Sequence, residues 1–208
     1  MKLFDINNWN RKKQYLFFKD YIDPFFNITT NVNVARLFKY CKTENLSFNL
    51  VFLHQLLSCT NSILNFKLRI KNEQVYIFDK IDVGTAILKE DKSFVFCYFP
   101  YTESLVDFLK SAKQQINNQM LNTDFNVKEE RLDLIHTSIL PWFSFTGIKH
   151  AKKGDEQTKG IPKFMIGKHF EQDHKLLLPL SIEVHHALMD GFHVGEFFNL
   201  LQEKLDTF

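Results

Sequence analysis

The sequence predicts an α/β fold, and within that class an α+β two-layer sandwich in which helices cover a mixed β-sheet. Segments with the alternating apolar pattern of strands interleave with segments of helical periodicity along the whole chain. Two short strand-like segments, 68–70 and 74–78, are separated only by the polar residues 71–73 and predict a hairpin. A hairpin is antiparallel, so a purely parallel sheet is excluded, and a mixed sheet with helices buries the apolar sides of both layers.

Length and composition predict a single domain spanning residues 1–208. Of the 208 residues, 45% are hydrophobic, which is enough for one sizeable core and little more. Gly (7) and Pro (5) are few, and no repeat or Pro/Ser-rich linker divides the chain. We therefore expect turns built mainly from Asn, Asp and Lys.

The first half of the chain alternates between the two kinds of segment. Basic residues followed by aromatic ones predict an amphipathic helix near the start, and apolar alternation predicts the strand after it. Asn33 is a candidate cap for the next helix, and the apolar stretch after that helix has neither Pro nor Gly, which predicts a buried helix. In order, the predicted elements are an extended segment at 4–9, a helix at 10–20, a strand at 25–33, helices at 34–40 and 47–64, and the hairpin.

The second half continues this alternation and ends in a helix. A charged turn at 89–92 separates two strands, and apolar residues at helical spacing predict the helix that follows them. The charged, Gly-containing stretch 149–160 predicts an exposed, mobile loop. In order, the predicted elements are strands at 85–88 and 94–99, a helix at 104–122, a β-like segment at 134–145, strands at 164–170 and 176–185, and a helix at 191–205.

Charge and cysteine content exclude several classes of function. Lys+Arg 26 against Asp+Glu 24 leaves a net charge of +2, without the clustered basic face that nucleic-acid binding requires. No stretch approaches the ~20 apolar residues of a membrane span, and residues 1–18 lack the apolar core of a signal peptide. The scattered, odd-numbered cysteines Cys41, Cys59 and Cys97 predict buried thiols rather than disulfides. We expect a cytoplasmic protein with neither nucleic-acid nor membrane partners.

The most informative run, 176–202, contains two adjacent histidines. An apolar strand leads to His185 and His186, a short connection follows, and Asp190-Gly191 opens the last helix. His186 therefore lies at a strand end, where a side chain is held rigidly yet stays accessible. Imidazole is the side chain best suited to accept a proton near neutral pH, which makes His186 a candidate general base.

Plainer interpretations of this run also fit its residues. A histidine at a strand end is most often structural, and Asp190 before a glycine and a helix is most simply an N-cap. A metal site built from His185, His186, Asp190 and His193 is disfavoured. The adjacent strand residues His185 and His186 point to opposite faces, and a turn lies between His186 and Asp190. We therefore expect no metal.

Four segments resemble the chloramphenicol acetyltransferase family. The run HHALMDGFHVG resembles its C-terminal signature, HHxxxDGFHV, and LLLPLSIEVHH resembles the strand that leads into the site. FDINNWNRK resembles the family's FDxxxWxRK pattern near the N-terminus, and SILPWFSF resembles its SAxPWVxF segment. The shorter form HxxxDG is also similar to lipoyl-dependent acyltransferases and to condensation domains. The resemblance covers essentially the whole chain and implies the fold of that family.

The resemblance implies an acetyl-CoA-dependent O-acetyltransferase that acetylates a hydroxyl of chloramphenicol and so inactivates the antibiotic. His186 matches the general base, whose other ring nitrogen faces its own backbone carbonyl in the family. Asp190 and Arg11 match an ion pair that holds the loop carrying the base. Ser138 matches the serine that donates to the tetrahedral oxyanion.

The resemblance also implies a homotrimer with the active site at the subunit interface. The base of one subunit then faces an aromatic acceptor pocket of the next, and acetyl-CoA is the co-substrate. The residues that match acceptor-pocket positions are Phe18, Phe26, Thr85, Phe94, Phe96 and Phe125.

Two departures from the family pattern leave other hypotheses about the function open. Phe96 stands where the family usually has a small residue, and Met165 stands where it has a threonine, which favours another hydroxylated small molecule as an alternative acceptor. The core of a lipoyl-dependent acyltransferase is a further alternative, although the chain shows neither a lipoyl domain nor an Ala/Pro-rich linker. The last alternative is a non-catalytic binding module.

Overall fold

The computed structural model describes residues 1–121, 125, 127–128, 130–152 and 159–208. Within them the chain forms ten strands and five helices, with a 3-10 turn at Leu64–Lys67. The strands are β1 (Lys2–Leu3), β2 (Phe25–Asn33), β3 (Leu68–Lys71), β4 (Gln74–Ile77), β5 (Asp82–Leu88), β6 (Phe94–Phe99), β7 (Leu134–Ile139), β8 (Lys163–Ile166), β9 (Phe170–Gln172) and β10 (Lys175–His185). The helices are α1 (Lys12–Phe18), α2 (Ala35–Thr43), α3 (Phe48–Ser62), α4 (Leu105–Met120) and α5 (Gly191–Leu205).

A seven-stranded mixed sheet organises the molecule, in the order β2-β10-β8-β7-β5-β6 with β9 beside β10. Strands β5, β7 and β8 pair in parallel, and the other pairs are antiparallel. Buried side chains of α2 to α5 and of one sheet face form the main hydrophobic core. The predicted α+β sandwich with a mixed sheet is thus confirmed. Across the described ranges, no helix has the length and apolar character needed to cross a membrane.

Helix α3 is the central element of the core. Ser47 accepts a hydrogen bond from the backbone N–H of Leu50 and caps its first turn. Buried residues lie on every side of the helix, and they include the polar His54 and Gln55. A helix that is apolar all round must be surrounded by other elements, and α3 contacts α2, α4 and α5 as well as β5. The prediction of a buried helix here is confirmed.

The predicted hairpin is formed by β3 and β4. Lys71 pairs with Gln74, so the loop has two residues, Asn72 and Glu73, both with positive φ (48° and 62°). This is the backbone of a type I′ turn, whose twist matches that of the strands. Together with β1, the hairpin makes a separate three-stranded antiparallel sheet.

Arg69 on β3 joins this small sheet to the start of β7. Its guanidinium is fully buried and donates to the carbonyl oxygens of Leu132 (2.8 Å), Leu134 (2.6 Å) and Phe66 (2.9 Å). Burial lowers the pKa of Arg69 to about 9. Because a buried cation is tolerated only when its donors are satisfied, these carbonyls fix Arg69 and the beginning of β7, the strand that carries Ser138.

The prediction of an extended segment at 4–9 is wrong. The strand at this end is β1, two residues long and earlier, and the chain then bends. The Asp5 carboxylate accepts from the backbone N–H of Asn7 (2.9 Å) and from the amide of Asn8 (2.7 Å). A short acidic side chain that bonds the backbone two residues ahead favours a turn over a strand.

Two predicted strands are shorter than expected. The segment 134–145 leaves the sheet after Ile139, just before Pro141-Trp142, and the segment 164–170 divides into β8 and β9. Between them Gly167 donates its N–H to the carbonyl of Pro179 (2.9 Å). A Cβ at Gly167 would lie 2.8 Å from the Pro179 ring and 2.9 Å from the Phe145 ring, so only glycine fits this bend.

The loop predicted at 149–160 falls partly outside the described residues, which omit 153–158. Of its described residues, Lys149 and Ala151 are exposed as expected, whereas the Lys152 side chain is held in ion pairs with Asp23 and Glu183. The helix predicted at 104–122 ends at Met120.

Replacing Gly167 with alanine tests the close approach at the β8–β9 bend. We expect Gly167→Ala to lower the free energy of unfolding by about 1–3 kcal/mol, because the new methyl group must push two packed rings aside. Gly195→Ala is the control, since it lies within α5 with open space around it and should be neutral or stabilising by up to ~1 kcal/mol. Thermal unfolding of both variants measures the difference; equal midpoints would contradict the expected clash.

Candidate active site

His186 lies in the turn between β10 and α5 and is held by aromatic rings. Its imidazole stacks on the Phe18 ring (centroids 3.8 Å apart, planes at 7°) and lies 4.7 Å from the Phe26 ring. Its backbone N–H donates to the carbonyl oxygen of Pro24 (2.7 Å). Nδ1 of His186 is buried and has no hydrogen-bond partner among the described residues, whereas the residue as a whole stays partly exposed. The ring is therefore fixed in orientation without being sealed from solvent.

Arg11 spans the turn that carries His186. Its guanidinium forms an ion pair with Asp190, and its Nη2 donates a hydrogen bond to the carbonyl oxygen of His186 (3.1 Å). The Arg11 side chain is only 7% exposed, so its charge depends on these partners. One side chain from the N-terminal segment thus holds both ends of the turn 186–190.

Asp190 performs two structural tasks at once. It caps α5, because its Oδ1 accepts from the backbone N–H of Phe192 (3.1 Å), while its other oxygen meets Arg11. The N-cap and ion-pair interpretations of Asp190 are therefore compatible. The backbone N–H of Asp190 donates to His193 Nδ1 (3.2 Å), which closes a capping box, and His193 Nδ1 also lies 2.9 Å from Oδ1 of Asp190. From the sequence, His193 is considered only as a metal ligand, although its position three residues after the cap is a signal for the capping role.

The carboxylate of Asp190 is held in its charged form. Burial raises the pKa of Asp190, but the opposing charges of Arg11 and His193 outweigh burial, and the pKa lies below its ordinary value. An ionised Asp190 keeps its full attraction for the Arg11 guanidinium at neutral pH.

A cleft of about 450 Å³ opens on the sheet face that points away from the main core. Ser138 on β7 lies in its wall, together with the rings of Phe94 and Phe96 on β6. Phe125 packs against both rings, with centroids at 5.3 and 5.1 Å. The other described lining residues are Gly84, Ala86, Tyr98, Val127, Lys128, Arg131, His136, Thr137, His150, Ala151, Lys159, Ile161 and Lys163. Two of the aromatic residues expected at an acceptor pocket thus line one cleft with Ser138, and a third, Phe125, packs against them.

Thr85, which was expected at the acceptor pocket, is not among the described residues that line this cleft. Its neighbours Gly84 and Ala86 line the cleft, and successive strand residues point to opposite faces. Thr85 therefore points toward the helices, where it is fully buried and its hydroxyl makes no hydrogen bond within the described ranges. Apolar alternation shows that two faces exist, but only packing decides which one meets a cleft.

Ser138 and His186 lie far apart within one chain. Ser138 is in register with Met165 on β8, which is in register with Ser181 on β10, and His186 follows five residues later. Strand rise and strand spacing then place the two residues roughly 20 Å apart. Phe18 and Phe26 lie beside His186, whereas Phe94, Phe96 and Phe125 lie with Ser138. The predicted site residues therefore form two half-sites.

Met165 is buried beside Ser138 on the neighbouring strand. Its thioether offers no hydrogen-bond donor to this part of the cleft wall. In the part of the chain that the structure describes, no three His, Cys, Asp or Glu side chains gather in a way that would hold a metal ion.

Comparison with known proteins gives one family. The family model described as chloramphenicol acetyltransferase matches residues 1–202. The chain is 29% identical to the chloramphenicol acetyltransferase of Clostridium butyricum, over 99% of this chain and 95% of that protein. It is 29% identical to the chloramphenicol acetyltransferase of Proteus mirabilis, over 97% of this chain and 93% of that protein.

Solved structures agree with the family match. A chloramphenicol acetyltransferase superposes with a TM-score of 0.90 at 26% identity, over 98% of this chain and 99% of the other. The cubic core of the pyruvate dehydrogenase multienzyme complex has a TM-score of 0.69 at 14% identity, over 93% of this chain and 86% of the other. The second likeness concerns the fold alone.

Substitution of Asp190 separates its two tasks. Asp190→Asn keeps a good N-cap but removes the charge, whereas Asp190→Ala removes both. Because Arg11 stays buried without its counter-ion, we expect both variants to lose up to ~3–5 kcal/mol of unfolding free energy, with Ala about 1 kcal/mol worse than Asn. Denaturant titration measures this, with Asp20→Asn, in an exposed ion pair, as the control. Wild-type stability in Asp190→Asn would show that the ion pair contributes nothing.

Proposed function

The chain belongs to the chloramphenicol acetyltransferase family, and on this premise we propose that it transfers the acetyl group of acetyl-CoA to a hydroxyl of chloramphenicol. The observation that carries the proposal is the held imidazole of His186, which stacks on Phe18 while Arg11 and Asp190 clamp its loop. The relatives named chloramphenicol acetyltransferase support this acceptor, and in our proposal the acetylation inactivates the antibiotic.

His186 acts as the general base. Its Nδ1 is buried, so Nε2 is the nitrogen that meets the acceptor hydroxyl. For this role the imidazole carries its proton on Nδ1, and the resemblance to the family implies that the carbonyl oxygen of His186 itself is the group that this proton faces. Arg11 donates to that same carbonyl oxygen and thereby fixes its position. The carboxylate of Asp190 is not part of this arrangement, because it is engaged by Arg11 and by the start of α5.

The chemical step is a direct acyl transfer. As Nε2 takes the hydroxyl proton, the acceptor oxygen attacks the thioester carbonyl carbon, and the carbonyl oxygen becomes an oxyanion. The Ser138 hydroxyl donates a hydrogen bond to this oxyanion. Collapse of the tetrahedral intermediate forms the acetyl ester and breaks the C–S bond, and the imidazolium of His186 returns the proton to the leaving CoA thiolate.

The two half-sites must come from different copies of the chain. A hydroxyl roughly 20 Å from the base cannot stabilise the same transition state, so the Ser138 that acts with one His186 belongs to a neighbouring subunit. We therefore infer an active site at each subunit interface, in the homotrimer that the resemblance to the family implies. Exposed apolar residues beside Phe18 support this, because a monomer would leave them in water. They are Leu16, Phe17, Tyr21 and Ile22.

Three further properties complete the proposal. Residues 1–208 work as one domain, since one main core draws on residues from Val32 to Leu205. The protein acts in the cytoplasm, where acetyl-CoA is available and the free thiols Cys41, Cys59 and Cys97 stay reduced. The reaction itself needs no metal, because His186 and Ser138 together supply the base and the oxyanion donor.

Release of free CoA, followed with a thiol reagent in the presence of chloramphenicol, tests the reaction. We expect turnover by the wild type, nearly complete loss in His186→Ala, and a ~10²–10³-fold lower kcat in Ser138→Ala. His174→Asn is the control, since His174 lies in the β9–β10 turn at positive φ, which Asn tolerates. Absence of turnover with chloramphenicol would refute the proposed acceptor, and turnover with other hydroxylated compounds would then favour the alternative.

Mixing two inactive variants tests the shared active site. His186→Ala and Ser138→Ala chains are unfolded together, refolded and assayed. If each site takes His186 from one subunit and Ser138 from the next, random mixing restores about a quarter of the wild-type activity. The control is a chain that carries both substitutions, refolded with either single variant, which should recover less. A mixture no more active than its components would contradict the intersubunit site.

A further inference from the structure

Glu183 is a buried acid in the strand that leads to His186. It lies three residues before His186 on β10, and its side chain is 3% exposed. Its Oε1 forms an ion pair with Lys152 Nζ at 2.9 Å, and Oε2 accepts from the backbone N–H of His150 at 3.4 Å. A carboxylate this deeply buried requires partners, and a charged residue inside an otherwise apolar strand is the sequence signal for such a site.

Lys152 bridges the two strands that frame His186. Besides Glu183 on β10, its ammonium contacts the Asp23 carboxylate (2.6 Å), just before β2. It also lies 4.4 Å from the centre of the Phe25 ring at the start of β2. Between Asp23 and Phe25 is Pro24, whose carbonyl oxygen accepts the backbone N–H of His186. The ammonium of Lys152 thus contacts Asp23 and Phe25, the two residues on either side of Pro24, whose carbonyl oxygen anchors His186.

The charge on Lys152 is stabilised by these contacts. Burial lowers the pKa of Lys152, but hydrogen bonds to Asp23 and Glu183 outweigh burial and leave the pKa above its ordinary value. The hydrogen bond from Lys152 in turn holds the pKa of Asp23 below its ordinary value. Lys152, Asp23 and Glu183 thus form a cluster whose geometry is set by short contacts.

The same segment also forms part of the cleft that contains Ser138. His150 and Ala151, next to Lys152 in the chain, line the cleft, and Lys163 Nζ donates to the carbonyl oxygen of Ala151 (3.0 Å). Lys152 therefore connects the wall of one half-site to the backbone frame of the other.

We propose that Lys152 is a positioning residue for His186. By joining Asp23 to Glu183, it sets the start of β2 against the end of β10, and this spacing places the Pro24 carbonyl and the backbone of His186. Catalysis by a base is sensitive to displacements of the order of 1 Å, so loosening this frame slows the chemical step without removing a reacting group. The inference rests on the proposed role of His186.

The competing explanation is that Lys152 only neutralises Glu183. Lys152→Met would then be harmful because it leaves a buried charge unpaired, and removing both charges would repair the damage. A positioning role predicts another result for the double variant Lys152→Met/Glu183→Gln. Its stability recovers, because no uncompensated charge remains, but the bridge to Asp23 is still missing and the activity stays low.

Kinetics and thermal unfolding of four variants distinguish these explanations: Lys152→Met, Glu183→Gln, the double variant and Lys149→Met. Lys149 is the matched control, since it contacts the same Asp23 at 3.6 Å but is 78% exposed. For Lys152→Met we expect kcat to fall ten- to a hundredfold, in the range of modest misplacement, with the KM for acetyl-CoA unchanged. Lys149→Met should match the wild type. Recovery of kcat in the double variant, or equal behaviour of Lys152→Met and Lys149→Met, would overturn the proposal.

A spectroscopic measurement makes the test independent of the acceptor. The ¹⁵N resonances of the His186 ring, assigned by their disappearance in His186→Ala, report its tautomer and surroundings. They should shift in Lys152→Met and in the double variant but not in Lys149→Met. If the wild type fails to acetylate chloramphenicol, the proposed function fails while this shift still decides on Lys152. If Lys152→Met does not fold, the double variant carries the test, and unchanged His186 resonances there would refute the proposal.

Discussion

The turn that carries His186 depends on one buried guanidinium. Arg11 comes from the N-terminal segment, yet it donates to the carbonyl of His186 and pairs with Asp190 at the start of α5. These contacts close a chain separation of 175 residues for His186 and 179 for Asp190. Because Arg11 is almost wholly removed from water, its partners cannot drift without leaving a charge uncompensated. The position of the proposed base is therefore coupled to the folding of the whole chain.

The sheet separates the two halves of the proposed chemistry. His186 stands where β10 ends, and Ser138 stands two strands away and several residues along, so strand geometry keeps them apart in one chain. The aromatic residues divide in the same way, with Phe18 and Phe26 at the base and Phe94, Phe96 and Phe125 at the cleft. In the proposed mechanism neither half acts alone, so this division gives the proposed self-association a catalytic reason.

Buried charges stabilise the connections between distant elements. Arg69 is held by carbonyl oxygens at the start of β7, and Lys152 is held by carboxylates from two strands. In each case the surrounding groups must stay in place, because an ion without partners in an apolar interior is costly. The contacts of Arg69 and Lys152 stabilise one relative placement of these elements, and they lie around the strands that carry Ser138 and His186.

Local sequence determined the mixed α/β architecture, the buried helix α3, the hairpin turn at Asn72-Glu73, and the strand–turn–helix run that carries His186 and Asp190. Each of these follows from patterns within a few residues, such as apolar spacing, capping and turn chemistry. The family resemblance added Arg11 and Ser138, which no local pattern marks. Tertiary structure alone decided that Thr85 points into the core and that Lys152 meets Glu183. It also decided that Ser138 and His186 lie in separate half-sites. The physical reason is that strand register and the choice of sheet face arise from contacts between residues far apart in the chain, which a short-range pattern does not encode.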